Sequence, residues 1–192
     1  MEQNNCIILA ITGASGVIYG VRTLQALKAL RYEVHLVLSP TGAQVIAEET
    51  AFSPEEVIAM ADHAYQNDDL GARIASGSFK TRGMLIVPCS IKTLSGVANA
   101  YAESLIQRAA DVCLKEGRPL LLAVRETPLH SGHLRLLSEA AAAGAVIFPP
   151  NPTFYNQPQT IDDLVNATVG RMLARMGIEN QLYQPWDKKS AI

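Results

Sequence analysis

Apolar residues come along this chain in short unbroken runs, separated by longer stretches in which they recur every three or four positions. The runs are Cys6 to Ile11, Glu33 to Leu38, Met84 to Cys89, Leu120 to Val124 and Ala145 to Phe148. Each is too short for a helix and reads as a strand buried on both faces. Between them, Val17 to Leu30, Ala43 to Glu49, His130 to Ala143 and Thr160 to Met176 carry helical periodicity, and Thr93 to Glu116 reads as helix with a break near Asn99. Ser53-Pro54-Glu55-Glu56 is a capping box with proline at the first helical position, which predicts a helix to about Asp62. His63 to Gln66 is a candidate edge strand, and Pro88 must lie near the end of its strand because it cannot donate to the ladder. Strands alternating with helices at this rhythm predict the α/β class, a single doubly wound (Rossmann-like) parallel sheet with helices on both faces. One domain, residues 1–178, is followed by a polar tail, residues 179–192, with no internal repeat or low-complexity stretch.

That topology predicts where a ligand sits. In the strand order 3-2-1-4-5, strands 1 and 4 are neighbours, and ligands bind beyond the carboxyl ends of strands at such a switch point. The loops there are Thr12-Gly13-Ala14-Ser15-Gly16 and Ser90-Ile91-Lys92-Thr93, with Ser39 from the loop after strand 2 beside them. A glycine-bearing turn that opens a helix offers free N–H groups at the positive end of the helix dipole, and the Ser15 hydroxyl can donate to a phosphate oxygen. The spelling excludes a nucleophile elbow, because position 17 is Val, and a Walker loop, because no Lys follows Gly16. It is not the dinucleotide fingerprint either, so a phosphate and the polar edge of a flavin or nucleotide suit these loops better than NAD.

The chain's 192 residues suit one domain, which at this size buries roughly 70% of its unfolded surface. Its 48% apolar and 18% charged shares are ordinary for a soluble protein, and a net charge of -2 provides no basic face for nucleic acid or a membrane surface. Three widely spaced cysteines, Cys6, Cys89 and Cys113, fit reduced thiols better than a disulfide framework or a zinc site. The opening Met-Glu-Gln-Asn-Asn and its short apolar run are unlike a signal peptide or membrane span, so a cytoplasmic location is expected.

Basic residues are expected at the crevice. Arg108 and Lys115 stand two helical turns apart and project from one face. Arg125 and Glu126 end the Leu120 strand, Tyr155 follows the last strand, and Arg171 borders the apolar stripe of the last helix. Four cations and a tyrosine around one crevice would neutralise a dianion. Each also has an ordinary surface explanation: Arg108 pairing with Asp111, Lys115 solvated near a helix end, Arg171 pairing with Asp163 or Asp187. Ser90 and Thr93 equally suit a helix cap. His130 and His133 lack further ligands at matching spacing and fit capping or packing better than a metal. His35 reads as a satisfied buried histidine, and Cys89 has no neighbouring His to activate it.

Taken together, Thr12-Gly-Ala-Ser-Gly16, Ala75-Ser-Gly-Ser-Phe79, Pro88-Cys-Ser-Ile-Lys-Thr-Leu94, Arg108-Ala-Ala-Asp-Val112 with Leu114-Lys-Glu116, Arg125-Glu-Thr-Pro-Leu129, and Phe154-Tyr155 with Pro158 resemble the UbiX-type flavin prenyltransferases, from about Ile7 to Gly177. The wider family is the homo-oligomeric flavin-containing decarboxylase fold. The resemblance implies that reduced FMN is alkylated by dimethylallyl monophosphate without a metal, giving prenylated FMN for UbiD-type decarboxylases. It also implies a homo-dodecamer with FMN near subunit contacts. By position, Gly13, Ala14, Ser15, Ser39, Ser90, Ile91, Lys92, Thr93 and Arg125 resemble the FMN contacts. Tyr155 and Arg171 resemble the contacts to the prenyl phosphate, with Arg108 and Lys115 nearby. Glu49 and Glu126 match an acidic pair that moves protons during ring closure, and Ser15 and Lys115 complete the expected catalytic set. Pro40 stands where many relatives carry Lys, and Pro185 rather than Arg precedes Trp186.

The chemistry implied asks little of the protein beyond stabilising a departing phosphate and holding flavin N5 behind C1 of the allylic group. The final proton has three candidate acceptors: Glu126, Glu49 and the released phosphate. Two other readings stay open on the same fold, an FMN-dependent oxidative decarboxylase of a cysteinyl peptide or pantothenate derivative and a flavin-binding carrier. The decarboxylase is expected to place a catalytic His after the third strand, where this chain reads Ala75-Ser-Gly-Ser-Phe79 and the nearest His is His63. A carrier has no use for an acidic pair and a cation cluster.

Overall fold

Six parallel strands form one sheet in the computed structural model, which describes residues 5–186. β1 (Cys6–Ile11) lies between β2 (Glu33–Leu38) and β4 (Met84–Cys89). β3 (His63–Tyr65) extends the sheet beyond β2, and β5 (Leu120–Val124) and β6 (Val146–Ile147) extend it beyond β4. The resulting order, β3-β2-β1-β4-β5-β6, reverses direction between β1 and β4. Among the described residues, seven α-helices cover the sheet: α1 (Val17–Ala29), α2 (Pro40–Glu49), α3 (Pro54–Met60), α4 (Ile91–Ala98), α5 (Leu105–Lys115), α6 (Ser131–Ala142) and α7 (Ile161–Arg175).

The two faces of each central strand divide the core. Ile7, Leu9 and Ile11 pack with Val17, Val21 and Leu24 of α1 and Val165, Val169 and Met172 of α7. Their neighbours Ile8 and Ala10 pack with Leu94 of α4, Ile106 and Cys113 of α5, and Leu136 of α6. A strand buried on both faces has no polar alternation to show, which is why these segments appear as apolar runs. At Gly20, a Cβ would stand 2.2 Å from the Val87 carbonyl oxygen, so α1 rests directly on the backbone of β4. That contact holds the turn before α1 in place.

Local chemistry moved several boundaries. α2 begins at Pro40 rather than Ala43, because Ser39 Oγ accepts from Gly42 N–H at 3.0 Å and proline suits the first helical turn. The stretch Thr93 to Glu116 is two helices: Ser90 caps the first, Ala100 takes φ 52° between them, and Ser104 opens the second with a capping box to Gln107. β6 is shorter than Ala145 to Phe148. Residues 179–186 lie against α7 and the loop before it. Asn180 Nδ2 donates to the Gly170 carbonyl at 3.0 Å, Leu182 packs on the core, and Tyr155 and Asn156 both donate to the Gln184 carbonyl. The expectations for Met1 to Asn4 and for an Arg171–Asp187 pair lie outside the described residues. Among the described residues, no helix is long and apolar enough to cross a membrane.

Candidate active site

The carboxyl ends of β1 and β4 are tied together by one side chain. Thr12 Oγ1 donates to the Pro88 carbonyl at 2.7 Å and accepts from Ser90 N–H at 2.9 Å, and it is buried. The glycine turn and the Ser90 loop therefore meet as one crevice. Thr12 was not singled out for this role by the sequence. The signal available was a hydroxyl at the first position beyond an apolar strand, where a valine would have continued the run.

The seat expected for an external anion at the glycine turn is held by the chain's own carboxylate. Glu49, the last residue of α2, accepts from Gly16 N–H at 2.7 Å. Partial burial opposes its charge. Hydrogen bonds from the Ser15 hydroxyl and the Gly16 and Val17 N–H groups, with Arg125 nearby, outweigh that and hold the carboxyl below its usual range. Gly16 takes φ 92°, which places its N–H toward the carboxylate and is a conformation side chains rarely adopt. Arg125 enters the crevice from the end of β5, its backbone N–H bonded to the Cys89 carbonyl at 3.1 Å.

Opposite this pair lies the N-terminus of α4. Ser90 Oγ accepts from Thr93 N–H at 3.3 Å and stands 3.1 Å from Thr93 Oγ1, so both hydroxyls serve the cap. Among the described residues, the N–H groups of Ile91 and Lys92 have no hydrogen-bond partner. The Lys92 side chain is exposed and lines a different hollow with Ser95, Asn99 and Tyr101, so it is the backbone of Lys92 that faces the crevice. Ser39 caps α2 as an acceptor, which leaves its hydroxyl hydrogen free to donate. A cavity of about 650 Å³ opens beside Ser39 and Pro40, walled by Leu38, Ala43 and Tyr65. Gly13 and Ala14 complete the turn; a Cβ at Gly13 would collide with Thr41 at 2.3 Å. Hydroxyls, unpartnered N–H groups and a guanidinium around one carboxylate fit a phosphate and the polar edge of a flavin.

The remaining residues are dispersed within one chain. Glu126 is exposed next to Arg125 and accepts from Thr127 N–H at 2.9 Å. Arg171 lines a hollow of about 260 Å³ with Phe148, Pro149, Asn151 and Thr153 beyond β6. It makes no ion pair among the described residues, since the Asp163 carboxylate accepts from Gln159 and Thr160 N–H groups. Tyr155 donates to the Gln184 carbonyl at 3.2 Å and meets the Trp186 ring edge-on at 5.3 Å. The expectation that Lys115 reaches the chain's own crevice is corrected. Lys115 ends α5, just before β5 begins, and pairs with Glu116 at 2.5 Å, a full strand length of about 15 Å from the carboxyl edge. Arg108 bonds the Ala75 carbonyl at 3.2 Å and Asp111 at 2.8 Å. His130 caps α6 and lies against His133 with the rings tilted by 36°, and burial pushes the Cys89 thiol far up.

A sheet that switches direction over a donor-rich crevice defines a flavin- or nucleotide-binding α/β protein. Residues 1–173 match the Flavoprotein family model. The chain is 54% identical over 183 residues to the flavin prenyltransferase UbiX of Escherichia coli K12, covering 94% of this chain and 97% of that one. Among solved structures, AnUbiX (PadA1) in complex with FMN and dimethylallyl pyrophosphate is 44% identical, with a TM-score of 0.93 over 95% of this chain and 97% of that one. A dodecameric FMN-dependent Ubix-like decarboxylase from Escherichia coli O157:H7 matches with the same TM-score of 0.93 and identity of 44%, over 95% of this chain and 99% of that one. The chain belongs to the flavoprotein family, among its UbiX-type flavin prenyltransferases.

Proposed function

We propose that this chain transfers the dimethylallyl group of dimethylallyl monophosphate to N5 and C6 of reduced FMN. The observation that carries this reading is Glu49 bonded to the glycine turn beside Arg125, facing the unpartnered N–H groups of α4. FMN, when bound, supplies a nucleophilic nitrogen and a ring that stabilises an allylic cation. The chain's residues do the rest. Ser39, Ser90, Thr93 and the Ile91 and Lys92 N–H groups hold the flavin and its phosphate, with Gly13, Ala14 and Arg125 against it. Tyr155 and Arg171 receive the phosphate that departs with the C1–O electron pair. Glu49, fixed by Ser15, accepts the proton that N5 loses as the C1–N5 bond forms. Glu126 as the acid protonates the prenyl alkene at C2 so that C3 can bond C6, and its carboxylate then takes the proton that C6 loses.

Lys115, a strand length from the crevice of its own chain, enters this scheme from a neighbouring copy, with Arg108 on the same helix. A homo-dodecamer supplies such neighbours, a cytoplasmic setting keeps the three thiols reduced, and a UbiD-type decarboxylase receives the product. Residues 1–178 form the catalytic unit, and the tail from 179 borders the phosphate end through Trp186 and Tyr155.

The test is anaerobic incubation of the full chain with reduced FMN and dimethylallyl monophosphate in EDTA, followed by spectrum and mass of the flavin. A flavin heavier by one prenyl group is expected. Unmodified FMN recovered from a saturated complex would overturn the reading in favour of a carrier. Loss of carbon dioxide from a cysteinyl peptide would favour the decarboxylase.

A further inference from the structure

At the amino ends of β1, β2 and β3, one strand length from the crevice, a second group of side chains gathers. Parallel register sets Cys6 beside Glu33 and His35 beside His63. Because Glu33 and His35 are two positions apart, these side chains share one face of the sheet. Glu33 Oε1 lies 3.1 Å from His35 Nε2 and 3.2 Å from His63 Nε2. The ligating atoms of Cys6, Glu33 and His35 all fall within 4.8 Å of one another. His35 is fully buried and Cys6 is 7% exposed, whereas the Glu33 and His63 side chains are 49% and 44% exposed, so the group has a sealed floor and an open mouth.

We propose that Cys6, Glu33, His35 and His63 bind a divalent ion of the zinc class, a site separate from prenyl transfer. The donor set is one thiolate, two imidazole nitrogens and one carboxylate, which suits a borderline tetrahedral ion and disfavours magnesium or calcium. Ligands of a tetrahedral zinc stand about 3.3 Å or more apart, close to the spacing of Cys6, Glu33 and His35, whereas His63, stacked on His35 with ring centroids 4.5 Å apart and meeting Glu33, must turn at its half-exposed position to become the fourth ligand. The orienting partner is in place: His35 Nδ1 lies 2.8 Å from the Tyr65 hydroxyl, and a proton held there leaves Nε2 free for the ion. On binding, the Cys6 thiol proton passes to solvent, and the ion replaces the contacts that Glu33 makes with the two imidazoles. No redox step is involved. The ion would clip the amino ends of three adjacent strands, including the short edge strand β3.

Cobalt(II) titration of the full chain under reducing, anaerobic conditions provides the test. A thiolate-to-cobalt charge-transfer band and visible bands of a four-coordinate ion are expected, both abolished by added zinc, and zinc should raise the melting temperature. The Cys6→Ser variant should lose the charge-transfer band although Cys89 and Cys113 remain. His63→Gln, at a half-exposed position that tolerates substitution, should weaken cobalt binding roughly tenfold or more. The same charge-transfer band in Cys6→Ser, or unchanged affinity in His63→Gln, would overturn the proposal. So would the absence of both band and thermal shift in the unaltered chain. The readouts are spectroscopic and thermal, so they stand whether or not prenyl transfer is observed.

Discussion

Glu49 brings a formal negative charge to a place that backbone geometry makes attractive to any anion. Its carboxyl is held below the ordinary range in the fold, so the charged form stabilises the folded state at neutral pH. That contribution is present above the unfolded carboxyl's titration and is lost as pH falls through the depressed folded value. Glu49→Gln is therefore expected to lower the urea midpoint at neutral pH, with the gap to the unaltered chain closing on acidification. Paired unfolding curves across the carboxylate range check this; a gap independent of pH would mean that packing, not charge, holds the turn. The fixed carboxylate also leaves the phosphate seat to α4 and Arg125, a division of labour that the spelling of the turn does not disclose.

Among the secondary elements, α1 matters because it carries the turn. Its position rests on Gly20, where a Cβ would meet the Val87 carbonyl at 2.2 Å and Ile11 Cγ1 at 2.9 Å. Alanine is the better helix former, yet here it must push α1 off β4. Gly20→Ala is expected to destabilise by about 1–3 kcal/mol and to weaken FMN binding together with stability. Denaturant unfolding and FMN titration of the same variant test both. Gains in stability would show that the helix has room to shift. The division between α4 and α5 has a similar local cause, since each is opened by its own serine cap and Ala100 cannot continue a helix at positive φ. Helical periodicity ran through that joint because both pieces bury an apolar stripe on the same sheet face.

For the molecule as a whole, the separation of Lys115 from Glu126 becomes a prediction about assembly. If each crevice draws Lys115 from a neighbouring copy, Lys115→Met and Glu126→Gln should each slow single turnover by roughly 100-fold. Mixed assemblies of the two variants should then regain part of the rate, because some crevices combine an intact Glu126 with an intact neighbouring Lys115. Dissociating and reassociating the two proteins together, then measuring turnover, decides this. Recovery no greater than the sum of the separate variants would show that a crevice does not draw Lys115 from a neighbouring copy.

The sequence by itself determined the elements, their parallel order and the loops that meet at the switch point. Apolar runs, helical stripes, caps and glycine turns are short-range signals, and each is complete within a few residues. The meeting of Thr12 with Ser90 follows once β1 and β4 are known to be neighbours, although the bond that joins them was not legible. Only the tertiary structure decided which carboxylate takes the glycine turn, because Glu49 is thirty-three positions from Gly16 and arrives by the crossing of α2. It alone put Lys115 at the far end of the sheet, since a helix face shows direction around its axis but not position along a strand. It alone gathered Cys6, Glu33, His35 and His63, whose spacing along the chain resembles no ligand motif. Register across three strands makes them neighbours, and register is a property of the assembled sheet, not of any strand within it.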